Sequence, residues 1–76
     1  MNEVFSVTQF FEDDSYETVR KYVSLEEAIE AFKFYTTNVA SRVGLTKRVI
    51  ITDSGDCIGV EWIYGKGVVF PSEMNK

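Results

Sequence analysis

Carboxylates are the main side chains in this sequence that could do chemistry. There are 12 of them against eight lysines and arginines, with no histidine and a single cysteine, Cys57. Histidine is the commonest general base and metal ligand, and one cysteine without histidine excludes a structural zinc site within one chain. The spacing of a calcium-binding loop is also absent. The sequence therefore predicts a protein that is not an enzyme, with no catalytic residue, no cofactor-binding residue, no metal ligand and no cofactor.

The overall charge indicates the class of partner. The net charge is −4 and the isoelectric point is about 4.6. Phosphate backbones attract lysine and arginine, so we expect no direct binding of nucleic acid. An acidic surface suits a basic partner, and nucleic-acid-binding proteins are the commonest basic partners. The alternative is that net negative charge only keeps a small protein in solution.

A first hairpin is predicted at the start of the chain. Val4 to Phe11 is rich in β-branched and aromatic residues, which is typical of a strand. The polar residues Glu12 to Ser15 favour a turn, and Tyr16 to Val23 predicts a second strand. Neither face of that strand is cleanly apolar, so its pairing register stays open.

The helix signal is the strongest in the sequence. Ser24 and Glu27 fit a capping box, in which each side chain bonds a backbone amide near the helix start. Apolar residues then recur at helical spacing, and Gly44 is a natural stop. The pattern predicts one helix from Leu25 to Arg42 or Val43.

A second hairpin follows the helix. Strands are predicted over Thr46 to Thr52 and from Ile58 to Tyr64, joined by the turn Asp53-Ser54-Gly55-Asp56. Val68 to Phe70 is able to add a short edge strand before Pro71 ends it.

These elements predict one small α+β domain over residues 1–76, with residues 71–76 as a loose C-terminal tail. The expected architecture is ββαββ, a four-stranded antiparallel sheet with one helix packed on one face. More aromatic side chains are present than one helix can cover. Large exposed aromatic patches usually mark interaction surfaces, so an aromatic sheet face is expected to bind a partner or a second copy. Its candidate residues are Phe11, Tyr22, Trp62 and Tyr64.

The same topology predicts where the carboxylates gather. The start of the helix and the turn of the second hairpin are expected at one end of the sheet, and the turn of the first hairpin at the other. The alternative is local, because glutamates at a helix start suit the helix dipole and aspartates suit turns. The candidate partner-binding residues are Glu26, Glu27, Glu30, Asp53 and Asp56, with Glu12, Asp13 and Asp14 as a second patch.

The segment from Asp53-Ser54-Gly55-Asp56-Cys57 through Glu61-Trp62 to Gly65-Lys66-Gly67-Val68-Val69-Phe70-Pro71 resembles the small acidic early proteins with which bacteriophages take over a host. The resemblance is at the level of a class and carries no site residues. It implies an inhibitor that occupies the working surface of one host protein. Some proteins of this class imitate DNA and block nucleoid proteins, and others block restriction, transcription or CRISPR effectors.

The resulting hypothesis is a phage-type DNA mimic that inhibits a basic, nucleic-acid-binding host protein and acts as a homodimer. One alternative is a protein-interaction module that uses the aromatic face, and another is an inhibitor of a different host defence or transcription protein. The first residues lack a signal-peptide pattern, and no apolar stretch approaches the length of a membrane helix. We therefore expect no membrane association and a cytoplasmic location, in the host bacterium if a phage encodes the chain.

Overall fold

The computed structural model describes residues 3–70, which form five strands and two helices in the order ββααβββ. The predicted tail at 71–76 lies outside the described residues. Neither helix within 3–70 has the length and apolar character needed to cross a membrane. The elements are β1 (Phe5–Phe11), β2 (Tyr16–Val23), α1 (Leu25–Thr37), α2 (Val39–Arg42), β3 (Thr46–Thr52), β4 (Ile58–Ile63) and β5 (Gly67–Val69).

The strands form one antiparallel sheet in the order β2-β1-β3-β4-β5. The α+β class and the helix packed on the sheet are as predicted, but the sheet has five strands instead of four. The extra strand is β5, in which Val68 pairs with Trp62. Gly65 and Gly67 have φ of 88° and 90°, values that glycine adopts without steric cost. They let the chain reverse tightly enough for three residues to pair.

The single helix predicted to Arg42 or Val43 is wrong, because the helix ends at Thr37 and a short helix follows. The break is at Asn38, whose backbone is extended with φ −74° and ψ 176°. Its side chain accepts a hydrogen bond from the Ser41 amide at 3.0 Å and so caps α2. Asparagine is among the best N-cap residues, so it starts a new helix where apolar spacing alone suggested continuation.

The core lies between α1 and the middle of the sheet. Val7 on β1 and Val49 on β3 are fully buried, and Ala28 and Phe32 of α1 pack on them. Because side chains alternate along a strand, these valines define the side of the sheet that faces the helix. The opposite side carries no helix within residues 3–70.

Candidate functional site

A groove lies beside α1 on the helix-facing side of the sheet. The helix packs on β1, β2 and β3, and Val60 and Trp62 of β4 are partly buried against the core. The outer part of the sheet, from β4 to β5, is therefore only partly covered by the described residues. The resulting space has a volume of about 550 Å³ and is open to solvent. We call it the apolar groove; the residues that define it are Phe5, Leu25, Ile29, Val60, Val68 and Phe70.

Local sequence patterns explain why the groove is apolar. Leu25 and Ile29 are four residues apart and therefore share one side of α1. Val60 pairs with Ile51 and points to the helix-facing side, and β5 adds Val68 there. Val68 is 53% exposed and Leu25 49%, so the groove offers apolar surface that residues 3–70 do not bury.

An acidic ledge, defined as Glu26, Glu27 and Glu30, adjoins the groove on α1. A shallow depression bounded by these three residues is also bounded by Ile29, which lines the groove as well. The Ser24 hydroxyl accepts a hydrogen bond from the Glu27 amide at 3.2 Å, so half of the predicted capping box is present. The ledge and the groove are therefore neighbouring parts of one surface.

Asp53 and Asp56 lie at the same end of the sheet as the ledge. Thr52, just before Asp53, pairs with Ser6, and Val23, just before the helix cap, pairs with Phe5. The helix start and the β3–β4 turn are thus separated by two strand spacings, about 10 Å. This part of the predicted charge placement is confirmed.

The carboxylate of Asp53 also has a local role. Its Oδ1 atom accepts hydrogen bonds from the Gly55 amide at 2.9 Å and the Cys57 amide at 3.0 Å. Asp53 therefore shapes the β3–β4 turn and at the same time borders the apolar groove.

A polar pocket of about 330 Å³ lies on the opposite side of the sheet at this end. Hydroxyl groups of Ser6, Thr8 and Thr18 line it together with Lys21 and Asp56. The Thr8 and Thr18 hydroxyls hydrogen-bond each other at 3.2 Å. Asp53 also lines this pocket, whereas the acidic ledge is on the helix side, so the carboxylates at this end are divided between two sides of the sheet. Lys21 adds a positive charge to the predicted acidic end.

The second acidic patch, Glu12 to Asp14, lies at the other end of the sheet in the β1–β2 turn. Asp13 Oδ1 accepts hydrogen bonds from the Ser15 hydroxyl and the Ser15 amide. These bonds lower the pKa of Asp13 from its ordinary value, with the hydroxyl bond as the larger cause. The patch is separate from the acidic ledge.

The four aromatic residues predicted as one interface do not form one surface. Trp62 and Tyr64 lie together, with ring centroids 6.4 Å apart, but Trp62 is partly buried against the core. Tyr22 lines the polar pocket, whereas Phe11 pairs with Thr46 at the far end of the sheet. The predicted aromatic face does not form because alternate strand positions point to opposite sides of a sheet. In addition, Tyr22 and Phe11 lie at opposite ends of the sheet.

Sequence reasoning missed an ion pair on the side of the sheet away from the helix. The Arg48 guanidinium contacts the Glu61 carboxylate and lies 5.1 Å from the Phe10 ring centroid. Glu61 is only 8% exposed, although no helix of the described part of the chain covers it. The pairing of β3 with β4 places Glu61 opposite Ile50 and diagonal to Arg48, so the hairpin register was the signal that could have found the pair.

Residues 3–70 contain no group of three or more His, Cys, Asp and Glu side chains arranged to hold a metal ion. Comparison of this chain with protein-family models, with curated proteins and with solved structures finds no match in any of the three. The functional interpretation therefore comes from the surfaces of the molecule alone.

Proposed function

We propose that this chain is a non-enzymatic binding protein whose partner is another protein, and that the partner docks on the apolar groove. One observation carries the proposal. Leu25, Val68 and Phe70 leave about half of their surface exposed around one continuous concave space. Exposed apolar patches of this kind usually mark interaction sites.

The acidic ledge beside the groove supports a basic partner. Interfaces combine an apolar centre with a polar rim, and charge complementarity speeds association and selects among partners. The groove would then supply affinity, while Glu26 and Glu30 on the rim would favour lysine and arginine.

A second candidate is the phage-type DNA mimic that inhibits a basic nucleic-acid-binding protein. The observation in its favour is that the acidic ledge and the β3–β4 turn with Asp53 and Asp56 lie at one end of the sheet. In this case carboxylates, and not the groove, would carry the affinity, which would fall steeply as salt screens the charges.

Affinity capture from a bacterial lysate tests the proposed function with matched variants of the tagged protein. Val68→Asp places a charge in the groove, and Val39→Asp places the same charge on α2, where Val39 is 70% exposed. We expect Val68→Asp to lose the captured protein and Val39→Asp to retain it. Equal capture by both variants contradicts docking in the groove.

Charge reversal separates the two candidates in the same assay. The double variant Glu26→Lys with Glu30→Lys should weaken capture without abolishing it if the groove carries most of the affinity, and the complex of the unaltered protein should survive a high-salt wash. Complete loss of capture on charge reversal, with normal capture by Val68→Asp, would instead support the DNA mimic.

A further inference from the structure

The part of the sheet that α1 leaves open, as far as residues 3–70 show, has the width of one helix. Strands in a sheet are about 4.8 Å apart, so five strands span about 19 Å between the outermost chains. A helix with its side chains is about 10 Å across, and α1 lies on β1, β2 and β3. The remaining strip over β4 and β5 is therefore about 10 Å wide, which is room for one more helix beside α1.

An extended segment fits this surface less well than a helix. A partner strand would have to add to the free edge of β5, which has only three residues, Gly67–Val69, and offers few backbone hydrogen bonds. A small apolar molecule would fit the volume of about 550 Å³ but would stay partly exposed, since the groove is open to solvent and small-molecule sites usually enclose most of their ligand.

A second copy of the chain is also a poor source of the helix. Within residues 3–70, α2 has four residues, and α1 packs its Ala28 and Phe32 into its own core. The exposed side of α1 carries Glu26 and Glu30, which would meet the same glutamates at the rim of the groove. Like charges placed opposite each other in an interface cost binding energy.

The charges around the groove indicate which charges the polar side of a bound helix should carry. Glu26 and Glu30 are four residues apart, so they follow one line along α1, and Ile29 between them lines both the ledge and the groove. Asp53 borders the groove at the same end, and Lys33 borders it one turn further along α1. The groove itself is bordered by one aspartate and one lysine, and the two glutamates of the adjoining acidic ledge make the surrounding surface negative.

We infer that the apolar groove binds an amphipathic α-helix of a partner protein, with its apolar stripe on β4 and β5 and lysine or arginine on the flank facing Glu26 and Glu30. This inference rests on the proposed function and specifies the partner. Along α1 the groove is lined from Leu25 to Lys33, which is about 14 Å of helix, so it accommodates two to three turns of the bound helix.

Three matched synthetic peptides of about 16 residues test the inference. All carry the same leucine stripe at helical spacing; the first has lysine at its polar positions, the second has glutamate, and the third is the lysine peptide with a central proline. Binding is measured by fluorescence anisotropy at about 0.15 M salt, and the site by amide chemical-shift changes in the labelled protein.

We expect the lysine peptide to bind, to become helical by circular dichroism and to shift the amides of Leu25, Ile29, Val60 and Val68. The glutamate and proline peptides should bind at least about tenfold more weakly, equivalent to roughly 1.4 kcal/mol. Val68→Asp should abolish binding and Val39→Asp should not. The double variant Glu26→Gln with Glu30→Gln should bring the affinities for the lysine and glutamate peptides closer together.

Each contrary result contradicts one part of the inference or of the proposed function. Equal affinity for lysine and glutamate peptides overturns the basic flank, and equal affinity for the proline peptide overturns the helical occupant. If no peptide shifts the groove residues while Val68→Asp still loses its captured protein from lysate, the helix is wrong and the proposed function stands. If Val68→Asp affects neither assay, both are wrong.

Discussion

The two halves of the helix-facing side of the sheet differ in whether α1 packs on them more than in their residue types. Val49 on β3 lies under α1 and is fully buried, whereas Val68 on β5 lies beyond the helix and is 53% exposed. Both are valines of one sheet that lie on either side of Trp62 on β4, with which each of them pairs. The comparison teaches that the exposed half carries the same kind of apolar side chain as the core but has no second layer among residues 3–70, which is why we interpret it as a docking surface.

The largest expected effect comes from truncating one valine in each half. Val49→Ala removes two buried methyl groups and leaves a cavity, so we expect a loss of about 2 to 3 kcal/mol in the free energy of unfolding. Val68→Ala removes the same atoms from a half-exposed site and should cost less than about 1 kcal/mol. Urea denaturation followed by the fluorescence of Trp62, the single tryptophan, measures both.

Equal losses for the two variants would break the comparison, because they would mean that β5 is as well packed as β3. The lysine peptide gives a second test of the comparison between Val49 and Val68. Bound peptide should raise the cost of Val68→Ala and leave the cost of Val49→Ala unchanged, because only Val68 gains a neighbour.

A smaller effect is expected on the other side of β4, where Arg48 shields Glu61. Arg48→Met leaves the nearly buried Glu61 carboxylate without its cation, and we expect a loss of about 1 to 2 kcal/mol. The value is below that of a fully buried pair because the Arg48 side chain is 36% exposed. Adding Glu61→Gln to Arg48→Met should recover part of the loss, since a neutral amide costs less to bury than a charge. If the double variant were less stable than Arg48→Met alone, the charge of Glu61 would not be the cause.

The smallest effect is expected far from both halves, in the β1–β2 turn. Ser15→Ala removes the hydroxyl bond that most lowers the pKa of Asp13, so this pKa should rise toward its ordinary value. A lowered pKa stabilises the folded state above the unfolded pKa, and the contribution is lost as the pH falls through the folded pKa. Wild type and Ser15→Ala should therefore converge in stability below about pH 4. Carboxyl-carbon NMR titration measures the Asp13 pKa directly, with Ser54→Ala as a control that should leave it unchanged.

Local signals in the sequence were enough for most of the fold. Strand composition, the Ser24 cap and the Asp53 to Asp56 turn predicted four strands and the start of the helix. The end of the helix was missed because apolar residues at helical spacing continue through Val39 and Val43, although Asn38 ends α1 and caps α2. The fifth strand was left open because Val68 and Val69 pair through a glycine turn whose geometry the residue types alone do not fix.

The candidate site was harder to predict than the fold. The position of Asp53 near the helix start followed from strand direction alone, and it was found. The groove was missed because it depends on which strands α1 covers, a tertiary property with no local signal. The aromatic face failed for a related reason, since a shared residue type did not place Tyr22 and Tyr64 at one end of the sheet.

The irregular β2 strand limits how this chain could associate with itself. It is an outer strand of eight residues, long enough to recruit a strand from another copy. Its pairing with β1 shifts register on both sides of Val7, and Tyr22 has a φ of 57°, which tilts its backbone groups out of line. Exposed Glu17, Arg20 and Lys21 add charge along the same edge. A continuous sheet that runs through two molecules by way of β2 is therefore disfavoured, so we expect the predicted homodimer to use a face of the sheet in preference to this edge.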